Sequence, residues 1–440
     1  MTTPLYPFQR LSRPLESFRL ANGLTVVLHR FDSPAVGFAF FVRAGPAFES
    51  PETNGVSHFL EHMLFRGVPA HPSSEELTLA LDRVGAEANA ATYTDLIALS
   101  CKILPEAVEE SLALFRDMVT APVFAGLDAE REIILEEFLE DFDEDGTLTA
   151  IDQLSSQILY RTHPYALPIL GNKAFLQNLT VDDLRRHLAR FFQPGAAVLC
   201  LSGNLAASPE VRGMIERTFG TMNPGDGSAT ATVPPVPAFR GPRLNWVDSP
   251  RSQIQCRVSF LGWPVGDPDF ALQKALVRLL DNPSGSPLRQ AMQDEKGFCY
   301  SLAVGIDAYD AAGAVHVDFS VKPERLIDAV YECLRVLART AERPPSDGLV
   351  EHMIHQYVKG KRFAANDLWD FSGRVGFRAL FPSAQPFEEE FVASQQVNAR
   401  DLARLARRLF RPSRLGVTLV GPSCGSSYHR LARMIERFPG

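Results

Sequence analysis

The sequence predicts an α+β protein of two tandem homologous domains, each an antiparallel sheet packed with helices. Three observations carry this. Strand-like and helix-like segments are interspersed in the first half, and a hairpin rather than a βαβ unit stands near its start. A stretch rich in Pro, Gly and Ala, Met222–Arg243, falls at the middle of the chain. A strand–proline–helix pattern occurs once on each side of that stretch, with the prolines 218 residues apart (105 to 323). The expected organisation is therefore a domain over residues 1–221, a linker over 222–243 and a second domain over 244–440.

Taken in order, Glu16–Leu20, Leu24–Arg30 and Val36–Arg43 are rich in β-formers, and Asn22-Gly23 supplies a hairpin turn between the first two. Ser73 and Glu76 have the spacing of a capping box, so a helix is expected to open there. Ile97–Leu104 reads as a strand, then Pro105-Glu106 opens an amphipathic helix. The second copy is Val315–Lys322, Pro323-Glu324 and the helical run that follows.

Composition narrows the function. With 45% apolar and 22% charged residues in 440, the chain can bury two cores and is not a disordered type. Lys and Arg number 44 against 52 Asp and Glu, a net charge of −8, which leaves no surplus cation for phosphate contacts and argues against nucleic-acid binding. No basic run suggests a membrane patch, and the uncharged stretch Phe191–Pro209 is too broken by Gly, Pro and Asn to span a bilayer. Six scattered cysteines without a CxxC read as buried thiols in a reducing compartment, and the N-terminus lacks the apolar core of a signal peptide. The expected location is cytoplasmic.

The chemistry concentrates in Ser57–Phe65, SHFLEHMLF. On a helix His58, Glu61 and His62 fall at i, i+3 and i+4 and project from one face, while apolar neighbours cover the others. Burying three ionisable groups needs compensation, and a divalent cation held by two imidazoles provides it; zinc suits nitrogen and carboxylate donors. A third ligand is sought in Asp128–Phe142, where Leu127, Ile134 and Phe138 cluster on one side. Glu136 points away from that cluster and Glu137 flanks it. Glu130, two turns earlier, shares nearly the same side. The pattern favours Glu137 as the inward carboxylate and Glu130 as its companion.

The runs Gly55–Gly67 and Glu130–Glu137 resemble the pitrilysin/insulinase family of zinc peptidases, which carry an inverted H-x-x-E-H motif. The resemblance extends through His163–Leu205. It implies a fold like the half-clamshell of the mitochondrial processing peptidase and pitrilysin, one zinc ion per chain, and endopeptidase activity on unfolded peptides enclosed in a chamber. By that resemblance His58, His62 and Glu137, which stands 75 residues beyond His62, bind zinc; Glu61 is the general base and Glu130 supports the site. Gly85–Asp95 resembles the strand beside bound peptide, so Asn89 and Ala90 are expected to contact substrate along an edge over Ala88–Thr94.

One departure stands out. The family's second domain carries an Arg and a Tyr seven residues apart; here Tyr300 is kept, but Gln293 stands seven before it and Arg289 four further upstream. The expected assembly is thus a dimer: a heterodimer with a homologous subunit bearing the Arg/Tyr pair, in preference to a homodimer in which Gln293 or Arg289 serves. Two other outcomes remain open: a non-catalytic assembly subunit of the same fold, and a dedicated precursor-processing peptidase. The pair His352 and His355 reads as helix surface.

Overall fold

A computed structural model describes residues 15–205, 210–226, 232–282, 284–364, 367–381, 383–385 and 387–439. The N-terminal reading and part of the expected linker lie outside these residues. The strands are β1 (Glu16–Arg19), β2 (Thr25–Arg30), β3 (Val36–Val42), β4 (Glu87–Thr92), β5 (Ile97–Ile103), β6 (Ala197–Gly203), β7 (Arg243–Val247), β8 (Ile254–Gly262), β9 (Leu302–Ala308), β10 (Gly313–Val321) and β11 (Leu415–Val420). The helices of the first half are α1 (Val56–Met63), α2 (Ser74–Arg83), α3 (Val108–Thr120), α4 (Leu127–Leu139), α5 (Ile151–Tyr160), α6 (Lys173–Asn178), α7 (Val181–Phe191) and α8 (Val211–Thr218). Those of the second are α9 (Phe270–Asp281), α10 (Pro287–Arg289), α11 (Leu326–Glu342), α12 (Asp347–Phe363), α13 (Leu368–Leu380), α14 (Phe387–Gln395), α15 (Ala399–Leu409) and α16 (Gly425–Glu436).

Local signals read from the sequence reappear as geometry. β1 and β2 pair antiparallel across the Asn22-Gly23 turn, with Arg19 opposite Thr25. Ser73 and Glu76 close a capping box at α2. Pro105 and Pro323 each open a short 3-10 turn that leads into α3 and α11.

The chain forms two compact units. Unit 1 comprises 1–136, 168–232 and 359–382; unit 2 comprises 137–167, 233–358 and 383–440. Unit 1 holds a six-stranded sheet in the order β1-β2-β6-β3-β5-β4. Its central strands β3 and β6 are buried along their whole length, which is why they read as continuous apolar runs rather than alternating ones. One face of β3 packs through Phe38 on Phe115 of α3, ring centroids 4.5 Å apart. The other face receives α13, where a Cβ on Gly376 would lie within 2.1 Å of the Phe41 ring. That face is covered by a helix from far along the chain.

Unit 2 holds a five-stranded sheet, β7-β11-β8-β10-β9. Here the foreign helix is α5, from the first half, which lies on β11 and β8. A Cβ on Gly416 would come within 2.9 Å of Ile158, so glycine lets the helix approach. Ser155 hydrogen-bonds Ser259 at 2.9 Å, and Arg257 is ion-paired to both Asp152 and Asp318. The two units thus repeat one scheme: a sheet with a helix on it borrowed from the other half of the sequence.

Two expectations need correcting. The sheets are not wholly antiparallel: β2–β6 and β7–β11 are parallel pairs. A parallel neighbour requires a long crossover and leaves no local turn signature in the sequence. Nor are all six free cysteines buried. Cys424 is exposed at the N-cap of α16, and hydrogen bonds from Ser426 and Ser427 lower its thiol to about 7.

Candidate active site

Helix α1 starts at Gly55, whose φ of 104° belongs to the left-handed region. A Cβ there would lie 2.8 Å from Gly171 Cα, so the two backbones meet at a spot only glycine fits. The free N–H groups at this helix start converge on Glu49. Its buried carboxylate accepts from Gly55 N, Ser57 N and Asn54 Nδ2, each at 2.8 Å. Burial raises the Glu49 pKa; the bonds from Ser57, Gly55 and Asn54 oppose that rise. On the outer side, Ser57 Oγ and His187 Nε2 of α7 are 2.9 Å apart. Burial, and then Arg190, push His187 down to about 3, so it is neutral.

His58, Glu61 and His62 come together as their spacing predicts, with one donor atom of each within 4.8 Å of the others. His58 is buried, which with the neighbouring His62 lowers its pKa to about 3. Its imidazole is therefore neutral and keeps a lone pair for a ligand. The two Nε2 atoms stand 3.3 Å apart. A tetrahedral zinc with Zn–N bonds of about 2.0–2.1 Å has an N···N edge of about 3.3–3.4 Å. The donor pair thus fits such an ion.

Glu130 of α4 is the group that orients His62. Its Oε1 lies 2.8 Å from His62 Nδ1, and its other oxygen is ion-paired to Arg66. A carboxylate held by Arg66 is an acceptor, so it accepts a hydrogen bond from Nδ1–H and turns the unprotonated Nε2 lone pair towards the cluster. Glu137 lies seven residues further along α4, on nearly the same side as Glu130. It is half-buried where Glu136 is exposed. Thr92 Oγ1 donates to Glu61 Oε2 at 3.3 Å.

Asn89 and Ala90 sit on β4, paired with Ser100 and Leu99 of β5. β4 is the edge of its sheet and α1 packs against it, so the edge and the histidine helix adjoin. Tyr300, Gln293 and Arg289 belong to unit 2. Tyr300 has a fully exposed side chain. Gln293 Nε2 donates to the Tyr300 carbonyl at 2.5 Å, and Arg289 pairs with Asp281 at 2.9 Å.

Arg66, Thr92 and His187 carry no sequence signal, because each takes its role only through a partner distant in the chain. The nearest hint was Glu49, an acid shortly before a helix start.

A two-imidazole, one-carboxylate cluster, with His58 buried and Glu61 and His62 half-buried, on a helix beside an open sheet edge is the arrangement of inverted-motif metallopeptidase sites. The chain belongs to the insulinase family of peptidases: residues 25–173 match the profile described as Insulinase (Peptidase family M16), and residues 178–357 match Peptidase M16 inactive domain. It is 25% identical over 422 residues to an uncharacterized zinc protease, YmxG, of Bacillus subtilis, covering 93% of this chain and 98% of the relative. It is 28% identical over 414 residues to the mitochondrial-processing peptidase subunit beta of Caenorhabditis elegans, covering 91% and 88%. A protease from Helicobacter pylori has the same fold, with a TM-score of 0.86 at 18% identity over 93% of this chain and 99% of that one. No helix among the described residues is long and apolar enough to cross a membrane.

Proposed function

We propose that the chain is a zinc-dependent endopeptidase that hydrolyses unfolded peptides. The observation that carries this reading is the 3.3 Å approach of the two histidine Nε2 atoms beside Glu61, with His62 oriented by Glu130. His58, His62 and Glu137 would hold one zinc ion per chain. Bound there, zinc supplies a Lewis acid that brings the pKa of a water towards about 7 and polarises a peptide carbonyl.

The chain's own residues do the rest. Glu61 accepts a proton from the attacking water and passes it to the leaving amine nitrogen. Thr92 holds that carboxylate by its hydroxyl, and the Arg66–Glu130 pair keeps the His62 ring in one tautomer. An extended peptide adds to the free edge of β4 at Asn89 and Ala90. Main-chain pairing reads little side-chain identity, so chain extension selects more than sequence.

Gln293 and Arg289 are each engaged within unit 2, which supports a heterodimer in which a homologous subunit supplies the Arg/Tyr pair. A relative named as a processing peptidase subunit favours a second reading, the trimming of one precursor. The test is to purify the chain, measure its zinc by atomic emission and follow a quenched fluorogenic casein peptide. Glu61→Gln should keep stoichiometric zinc and lose about 10²–10⁴-fold in turnover. Glu137→Gln and His58→Ala should lose the metal. Zinc-free wild-type protein, or a fully active Glu61→Gln, would overturn the assignment.

A further inference from the structure

Unit 2 carries two adjoining cavities along α11, of about 620 and 550 Å³. Both are lined by Arg335, Arg339 and Arg343. Arg335 and Arg339 stand at i and i+4 on the helix and Arg343 caps its C-terminal end, so a row of cations follows the helix with about 6 Å between the stems of Arg335 and Arg339. Arg437, just past α16, adds a fourth cation to the first cavity. Like charges at this spacing destabilise a helix, and opposing acids are few: Glu342 lines the first cavity and Glu295 the second. Arg335 is tied to Glu332 at 2.5 Å. Arg339, Arg343 and Arg437 are exposed, and among the described residues their side chains enter no ion pair.

The walls on either side of the row carry apolar side chains among polar ones. Leu334, Met434 and Phe438 line the first cavity, and Leu279, Val336 and Leu349 the second. We propose that this ridge binds an acidic peptide segment of a partner protein, its carboxylates on the arginines and its apolar side chains in the flanking cavities. Guanidinium groups recognise carboxylates through paired N–H donors. In an extended peptide, alternate side chains on one face are about 6.6 Å apart, close to the spacing of the arginine row. Neighbouring phosphates of a polyphosphate are far closer together and would leave most of the row unused. The apolar parts of the two cavities would likewise stay empty. This site is independent of the proposed peptidase chemistry.

The test uses fluorescence anisotropy with a labelled eight-residue peptide alternating glutamate and leucine. The full chain carries Glu61→Gln in every arm, so cleavage of the probe is not mistaken for release. Arg339→Glu with Arg343→Glu should weaken binding at least tenfold with an unchanged circular dichroism spectrum, and Arg339→Gln with Arg343→Gln gives the same comparison without charge reversal. Replacing glutamate by glutamine in the probe should also cost at least tenfold, and added salt should weaken binding further. Equal affinity in the arginine variants, or equal binding of the glutamine probe, would overturn the proposal. So would tripolyphosphate binding more tightly than the peptide, which would make the ridge a small-anion site. A loss of self-association in the variants by sedimentation would assign it instead to a second copy.

Discussion

Gly55→Ala places one methyl group at the start of the histidine helix. At φ 104° an L-residue pays about 1–2 kcal/mol in backbone strain. The new Cβ would meet Gly171 Cα at 2.8 Å and Leu176 Cδ2 at 3.0 Å. The first of these is backbone and cannot rotate away, so an overpacking cost of about 1–3 kcal/mol adds to the strain. Reduced freedom of the unfolded chain returns about 0.4–1 kcal/mol. The net loss is about 1–4.6 kcal/mol, or roughly 2–18 °C in Tm for a cooperative unit of about 200 residues. Gly126→Ala is the matched control: its φ is 71°, but nothing lies within 4 Å of the added Cβ. Urea unfolding followed by circular dichroism, with zinc content measured in parallel, reads both variants. Should Gly55→Ala cost no more than Gly126→Ala, the contact with Gly171 does not fix the start of the helix, and that account of the site's rigidity fails.

The remaining outcomes are as direct. His187 has its pKa lowered to about 3 by burial, against 6.5 when free, so it must be neutral in the folded state. The stability this represents is complete above pH 6.5 and is lost as pH falls from there towards 3; His187→Gln should flatten the dependence of the urea midpoint over that window, and an unchanged slope would refute the cause. Cys424, exposed and with its thiol near 7, should alkylate half-maximally near pH 7 while the five buried thiols react only on unfolding; labelling that begins only above pH 8.5 would contradict it. Glu49→Ala leaves the buried N–H groups of Gly55 and Ser57 unpaired, while Asn54 keeps its bond to the Pro168 carbonyl, and should cost about 2–6 kcal/mol, measured by the same urea unfolding, where a loss under 1 kcal/mol would refute the capping role.

How much of this could be read in advance followed the range of the interactions. His58, Glu61 and His62 lie within one helical turn, so helix geometry alone brings them together. The Ser73 capping box, the Asn22-Gly23 turn and the prolines at 105 and 323 are equally local, and all four appear as expected. β6 pairs with β2 from about 170 residues away, and no turn residue announces it. The supports of α1 are invisible for the same reason: Arg66 gains meaning only when Glu130 of α4 arrives, and His187 only when α7 docks. The placing of α13 on the first sheet could be sensed only as glycines at 37, 203 and 376, whose purpose depends on a neighbour the sequence does not name.

That borrowing of helices has a practical consequence for anyone cutting the gene. A fragment ending at residue 221 would keep the whole six-stranded sheet yet lack α13, laying bare a face of β3 and β6 on which Phe41 and Val198 stand among Gly37, Ala39 and Cys200. The same fragment would carry α5 with no partner to rest on. Such a piece should aggregate on expression, and mixing in the complementary fragment 222–440 during refolding should rescue its solubility.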